Sequence, residues 1–115
     1  MLAPRLKRQG DNGIEIAVIY SPGFGAGWST WNQEYAEILL FHKELALYVD
    51  SESDKFEGEL KSICDRLCGP DSDVYVGGSR NLSLKWVPEG TEFVIQEYDG
   101  SEQIRVKDSY EWMRA

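Results

Sequence analysis

Residues 92–107 read EFVIQEYDGSEQIRVK, and their pattern sets the fold. Phe93 and Ile95 alternate with polar neighbours, and Ile104 and Val106 do the same further on. Alternation of this kind puts one row of side chains against a core and the other in water. Asp99-Gly100 between the two runs is a strong hairpin signal, because a two-residue turn favours residues that tolerate positive φ. The stretch predicts two antiparallel strands, Glu92–Tyr98 and Gln103–Lys107.

Working back toward the N-terminus, Leu82–Trp86 and Val74–Val76 read as further short strands. Before them, Phe56, Leu60, Ile63, Cys64 and Leu67 form an apolar stripe at helical spacing, stopped by Gly69-Pro70. Asp50-Ser51-Glu52-Ser53 supplies an N-cap for that helix. Tyr35, Ile38, Leu39 and His42, then Leu45, Tyr48 and Val49, carry an earlier helical pattern with a kink near His42. Thr30 followed by Gln33 matches a capping box and places the start of this helix near Trp31. Ile14–Tyr20 (IEIAVIY) is apolar and β-branched and ends at Ser21-Pro22-Gly23, so it reads as a buried strand. Residues 1–13 are basic and polar with no apolar core segment, and read as a flexible leader rather than a secretory signal. The expectation is a single α+β domain over residues 14–115: an antiparallel sheet, with a sandwich-like arrangement left open, and a helical segment inserted after the first strand.

Composition narrows the function. The chain has 115 residues, enough for one modest core, with 42% hydrophobic and 12% aromatic residues. A net charge of −8 argues against a groove that tracks duplex nucleic acid. The acid is uneven: residues 33–73 hold eleven Asp/Glu against four Lys/Arg, and residues 74–115 hold seven against five. A small anion, which needs only a few local donors, remains allowed. No apolar run approaches the roughly 20 residues of a membrane span. Cys64 and Cys68 lie four apart on a helix, poor geometry for a disulfide, so free thiols and a cytoplasmic location are expected.

The candidate sites each have a bland alternative. Pro22–Trp28 holds glycines at Gly23, Gly25 and Gly27 and leads into a helix start, an arrangement that offers backbone N–H groups to an anion. It is neither the dinucleotide fingerprint nor a P-loop, and the alternative is a turn whose Phe24, Trp28 and Trp31 pack on the sheet. His42 with Cys64 and Cys68 makes at most three metal ligands without a recognised spacing, so neither metal nor cofactor is expected. Glu97, Asp99 and Glu102 cluster at the hairpin as surface carboxylates, and no nucleophile–base pair stands out, so the chain reads as a binding protein and not an enzyme. Arg105 and Lys107 share a strand face, Arg80-Asn81 lies in a Gly-Gly-Ser-Arg-Asn loop, and Arg114 follows Trp112. These suit phosphate recognition or, equally, cross-strand pairing with Glu92, Glu97 and Glu102.

Two motifs, Ser21-Pro22-Gly23-Phe24-Gly25 and the ending Trp86-x-Pro88-x-Gly90-x-x-Phe93-x-Ile95-x-Glu97-Tyr98-Asp99-Gly100-x-Glu102, carry a likeness over roughly residues 14–107. Together with the helical middle, they make the chain resemble a family of small phage and prophage proteins, the Thoeris anti-defence sponges. The resemblance implies sequestration, without cleavage, of a cyclic ADP-ribose type signal made by host immune enzymes. It also implies a homo-oligomer with pockets built partly across subunits from aromatics and arginines. The expected ligand residues are Phe24, Trp28, Trp31, Arg80, Asn81, Tyr98, Arg105 and Arg114. The competing expectation is an acidic protein–protein inhibitor whose helical face imitates nucleic acid.

Overall fold

The apolar run read as a buried strand is the middle strand of a sheet. The computed structural model describes residues 2–51 and 57–107, and in it β2 (Gly13–Tyr20) lies between β1 (Lys7–Gly10) and β3 (Ser83–Pro88), antiparallel to both. Central position explains the unbroken hydrophobicity, because both faces of β2 are covered. Ala17 and Ile19 face a core built with the helices, Trp28, Val74, Val76 and Leu82. Val18 faces the other way, into a second core with Val87 and Ile104. All three β2 residues have no exposed surface.

The helical layer is α1 (Ala36–Phe41), α2 (Lys43–Ser51) and α3 (Glu57–Cys68). The kink read near His42 is a full break: this residue leaves the helix at φ −59°, ψ 124° and separates α1 from α2. On α3, Leu60 and Cys64 are fully buried, with Ile63, Leu67 and Cys68 packed beside them. Phe56 and the Glu52–Ser53 part of the expected cap lie outside the described residues. Gly69 closes α3 at φ +109°, the left-handed position that glycine fills without strain.

The hairpin forms as its alternation requires. β4 (Phe93–Tyr98) pairs with β5 (Ser101–Val106) as a separate two-stranded sheet. Asp99 and Gly100 turn it at φ 48° and 85°, positive at both positions. Phe93, Ile95, Ile104 and Val106 point inward onto the second core, against Phe41 and Leu40. The fold is thus α+β, with helices on one face of a three-stranded sheet and a hairpin on the other. Among the described residues no helix is long and apolar enough to cross a membrane.

Three expectations need correction. Residues 7–10 are not a flexible leader: they form β1, Ala3 is buried, and the Lys43 N–H donates to the Pro4 carbonyl at 2.7 Å. The polar pattern concealed this because β1 is an edge strand with exposed side chains; Arg8 lies 4.3 Å from the Trp86 ring and pairs with Glu15. Val74–Val76 is not a strand. Its pairing partner is a side chain: the Asn32 amide accepts from Tyr75 N–H (2.8 Å) and donates to Tyr75 C=O (3.0 Å). Nor does a helix begin near Trp31, since two 3-10 turns, Ser29–Trp31 and Gln33–Tyr35, precede α1. The Thr30 hydroxyl that would have capped the helix is committed elsewhere, to Glu102.

Burial predicts two measurable behaviours. Leu60→Ala removes a fully buried side chain and is expected to cost about 2–5 kcal/mol in chemical denaturation, against less than about 0.5 for exposed Lys85→Ala. Desolvation pushes the Cys64 thiol up to about 12, with the neighbouring Cys68 adding to the shift. The thiolate is the nucleophile, so folded protein should resist iodoacetamide at Cys64 at about pH 8 and react there only once denatured.

Candidate functional site

The glycine loop is held against the hairpin by one buried carboxylate. Glu102 lies on β5 in the same inward row as Ile104 and Val106 and is 2% exposed, which corrects its reading as a surface carboxylate. Its Oε1 accepts from Ser21 N–H at 2.9 Å. Its Oε2 accepts from Trp28 N–H at 2.8 Å, Thr30 N–H at 3.1 Å and the Thr30 hydroxyl at 2.6 Å. The expectation that this loop offers N–H groups to an anion is met from within the chain, and the anion is Glu102. A buried charge persists only when its lone pairs are met in this way.

The rest of the loop docks around that contact. The Glu102 N–H donates to the Ser21 carbonyl at 2.7 Å and the Gly25 N–H to the Asp99 carbonyl at 2.7 Å. The Ser101 hydroxyl donates to the Pro22 carbonyl at 2.8 Å, and that of Ser21 to the Ala26 carbonyl at 3.0 Å. Gly100 is required here twice over: φ is +85°, and a side chain would overlap the Ala26 backbone.

This anchoring presents an aromatic pair. Trp31 follows Thr30 and is 42% exposed, and its indole N–H donates to Glu97 at 3.2 Å. Its ring lies 5.6 Å from that of Tyr75, tilted by 30°, and Tyr75 is 49% exposed. Both backbones are fixed, Trp31 through its neighbour's bonds to Glu102 and Tyr75 through the Asn32 clamp, whose amide also donates to the Trp28 carbonyl at 2.9 Å. Glu97 also accepts from Gly100 N–H at 2.8 Å. The arrangement is a rigid, half-exposed aromatic surface with a carboxylate at its border, suited to stacking a planar group.

The remaining expected residues fall in different places. Trp28 is fully buried and its indole N–H bonds the Leu39 carbonyl at 2.7 Å, so it is a core residue and not a ligand contact. Phe24 is 70% exposed on the loop, and Asn81 sits against Gly23, where a side chain would overlap its amide. Arg80 belongs to the 3-10 turn Ser79–Asn81, and Arg114 lies outside the described residues. Tyr98, 78% exposed, and Arg105 occupy the outward row of the hairpin with Val94 and Gln96, the face opposite Glu97. The hairpin therefore separates Arg105 from Trp31.

Tyr75 and Asn32 were not singled out from sequence, and Glu102 was read there as a surface carboxylate, yet parity marked two of the three. Glu102 continues the Ile104/Val106 row by two residues, and Tyr75 is the outward member between buried Val74 and Val76. Among the described residues no group of three or more His, Cys, Asp and Glu could hold a metal ion. The chain matches no protein-family model, no curated protein and no solved structure.

If Glu102 anchors the loop, Glu102→Ala leaves three buried or half-buried N–H groups unmatched and should cost about 3–5 kcal/mol. Thr30→Val should cost roughly 1.5–3 and exposed Glu97→Ala no more than about 1. Equal urea midpoints for the two glutamate variants would remove Glu102 from this position in the account.

Proposed function

We propose that the chain is a non-catalytic binding protein that sequesters a small nucleotide-type signal by stacking its base on Trp31 and Tyr75. The observation that carries this is the fixed, half-exposed Trp31–Tyr75 pair, since exposed aromatics on immobilised backbone lose little freedom when a ring covers them. The sequence likeness to anti-defence sponges supports a cyclic ADP-ribose type ligand and a task in countering host antiphage defence. Free cysteines agree with action in the cytoplasm of a bacterial host.

Phosphate recognition calls for an assembly. Arg105 is on the outer face of the hairpin and Trp31 under the inner one, so one copy does not turn both toward one small ligand. A homo-oligomer in which one copy's Arg105 meets another's Trp31 supplies stacking and charge together. The acidic-inhibitor reading has less support, because the helical acids are interrupted by cations: Arg66 binds Glu44, and Lys61 lies 3.6 Å from Asp65 and 3.5 Å from Asp73.

Thermal-shift screening with cyclic and linear nucleotides, followed by calorimetric titration, tests the proposal. Stacking contributes roughly 1–3 kcal/mol per base, so Trp31→Ala and Tyr75→Ala should each weaken binding by about tenfold or more while the protein stays folded. Arg105→Ala should weaken it comparably, and light scattering should give more than the 13.1 kDa of one chain. Absence of stabilisation by every nucleotide would remove the reading.

A further inference from the structure

Among the described residues, β4 pairs with no strand but β5, which leaves its outer edge open. Tyr98–Ser101 closes the hairpin turn, and hydrogen-bonded pairs recur at every second position from it. The same phase is set by Lys107 N–H on the Glu92 carbonyl at 2.8 Å and by Glu102 N–H facing away, toward Ser21. The N–H and C=O groups of Phe93, Ile95 and Glu97 therefore point away from β5, and no hydrogen bond among the described residues engages them. Such an edge is a template for another strand.

The side chains beside this edge are apolar and acidic. Val94 is 60% and Tyr98 78% exposed on the outer face, and a shallow cavity of about 300 Å³ runs over Val94, Gln96 and Arg105. Glu92 just before β4, Glu97 in it and Asp99 in its turn are all exposed, and the stretch carries no cation. Lys107 already pairs with Glu92 at 3.3 Å, and Arg105 is one strand away from the edge. A second copy would set one acidic β4 against another in a chain of net charge −8, whereas a cationic strand is complementary.

We infer that β4 accepts an extended, lysine- or arginine-bearing segment of a partner protein by strand addition. Its main chain pairs with Phe93, Ile95 and Glu97, its apolar residues cover Val94 and Tyr98 on the outer row, and a cation on its other row meets Glu97. This edge shares Glu97 with the border of the aromatic pair, but strand addition does not depend on nucleotide stacking.

The test uses the full chain and a capped peptide of about six residues alternating lysine and valine, titrated while backbone amide shifts are followed by NMR. The expected result is saturable shifts centred on Phe93, Ile95 and Glu97. N-methylation of alternate peptide amides should weaken binding by about tenfold or more, and replacing lysine by glutamate should abolish it. The inference is overturned by β4 amides that stay unmoved at about millimolar peptide, or by equal binding of the N-methylated peptide. It is also overturned by β4 shifts that appear on concentrating the protein alone with a doubling of mass, which would give the edge to a second copy.

Discussion

The carboxylate of Glu102 sits where the layers of the molecule meet, and the surface that could bind a ligand depends on it. Its two oxygens take donors from the end of β2, from the buried Trp28 and from Thr30, so one side chain of β5 holds the whole glycine loop. Without an anion there, the loop would present inward-facing N–H groups with nothing to accept them, which is costly in a dry interior. Gly25 takes φ +97° in the turn, and the close approach of loop and hairpin is made from the hairpin's side, by Gly100 against the Ala26 backbone.

The aromatic surface offered to solvent follows from that anchor. Trp28 is drawn into the core beside Leu39, and three residues later Trp31 emerges half-exposed beside Tyr75. Asn32 then ties Tyr75 to the same turn, doing for residues 74–76 what a neighbouring strand would do. The two tryptophans thus divide into one structural and one presented member, although their side-chain chemistry is the same. The hairpin separates Trp31 from Arg105, and this is why the proposed nucleotide reading calls for self-assembly, as the sequence resemblance also implies.

Much of this was legible in the sequence, for physical reasons that differ by element. The hairpin at 92–107 was legible because period-two alternation and an Asp-Gly turn agree with one another. β2 was legible because a strand covered on both faces must be apolar throughout. β1 was not, because an edge strand with exposed side chains leaves no hydrophobic pattern to read. Thr30 and Gln33 fitted a capping box, but the Thr30 hydroxyl satisfies a carboxylate 72 residues away, a contact that local spacing does not encode. The candidate site was half legible. Trp31 was named, but Trp28 beside it could not be told from a ligand contact until its indole was seen on a buried carbonyl. Glu102 could have been found, since a charged residue on the inward row of a strand must be matched from inside.

Native-state hydrogen exchange of individual amides tests the claim about Glu102 most directly, because it reads the donors themselves. Amides of Ser21, Trp28 and Thr30, bonded to a buried carboxylate in a docked loop, should exchange as slowly as those of Ala17 to Ile19 in the central strand. If these amides instead exchange at the rate of an exposed loop while β2 stays protected, Glu102 does not hold the loop. The fixed aromatic surface built on that contact would then not exist as described.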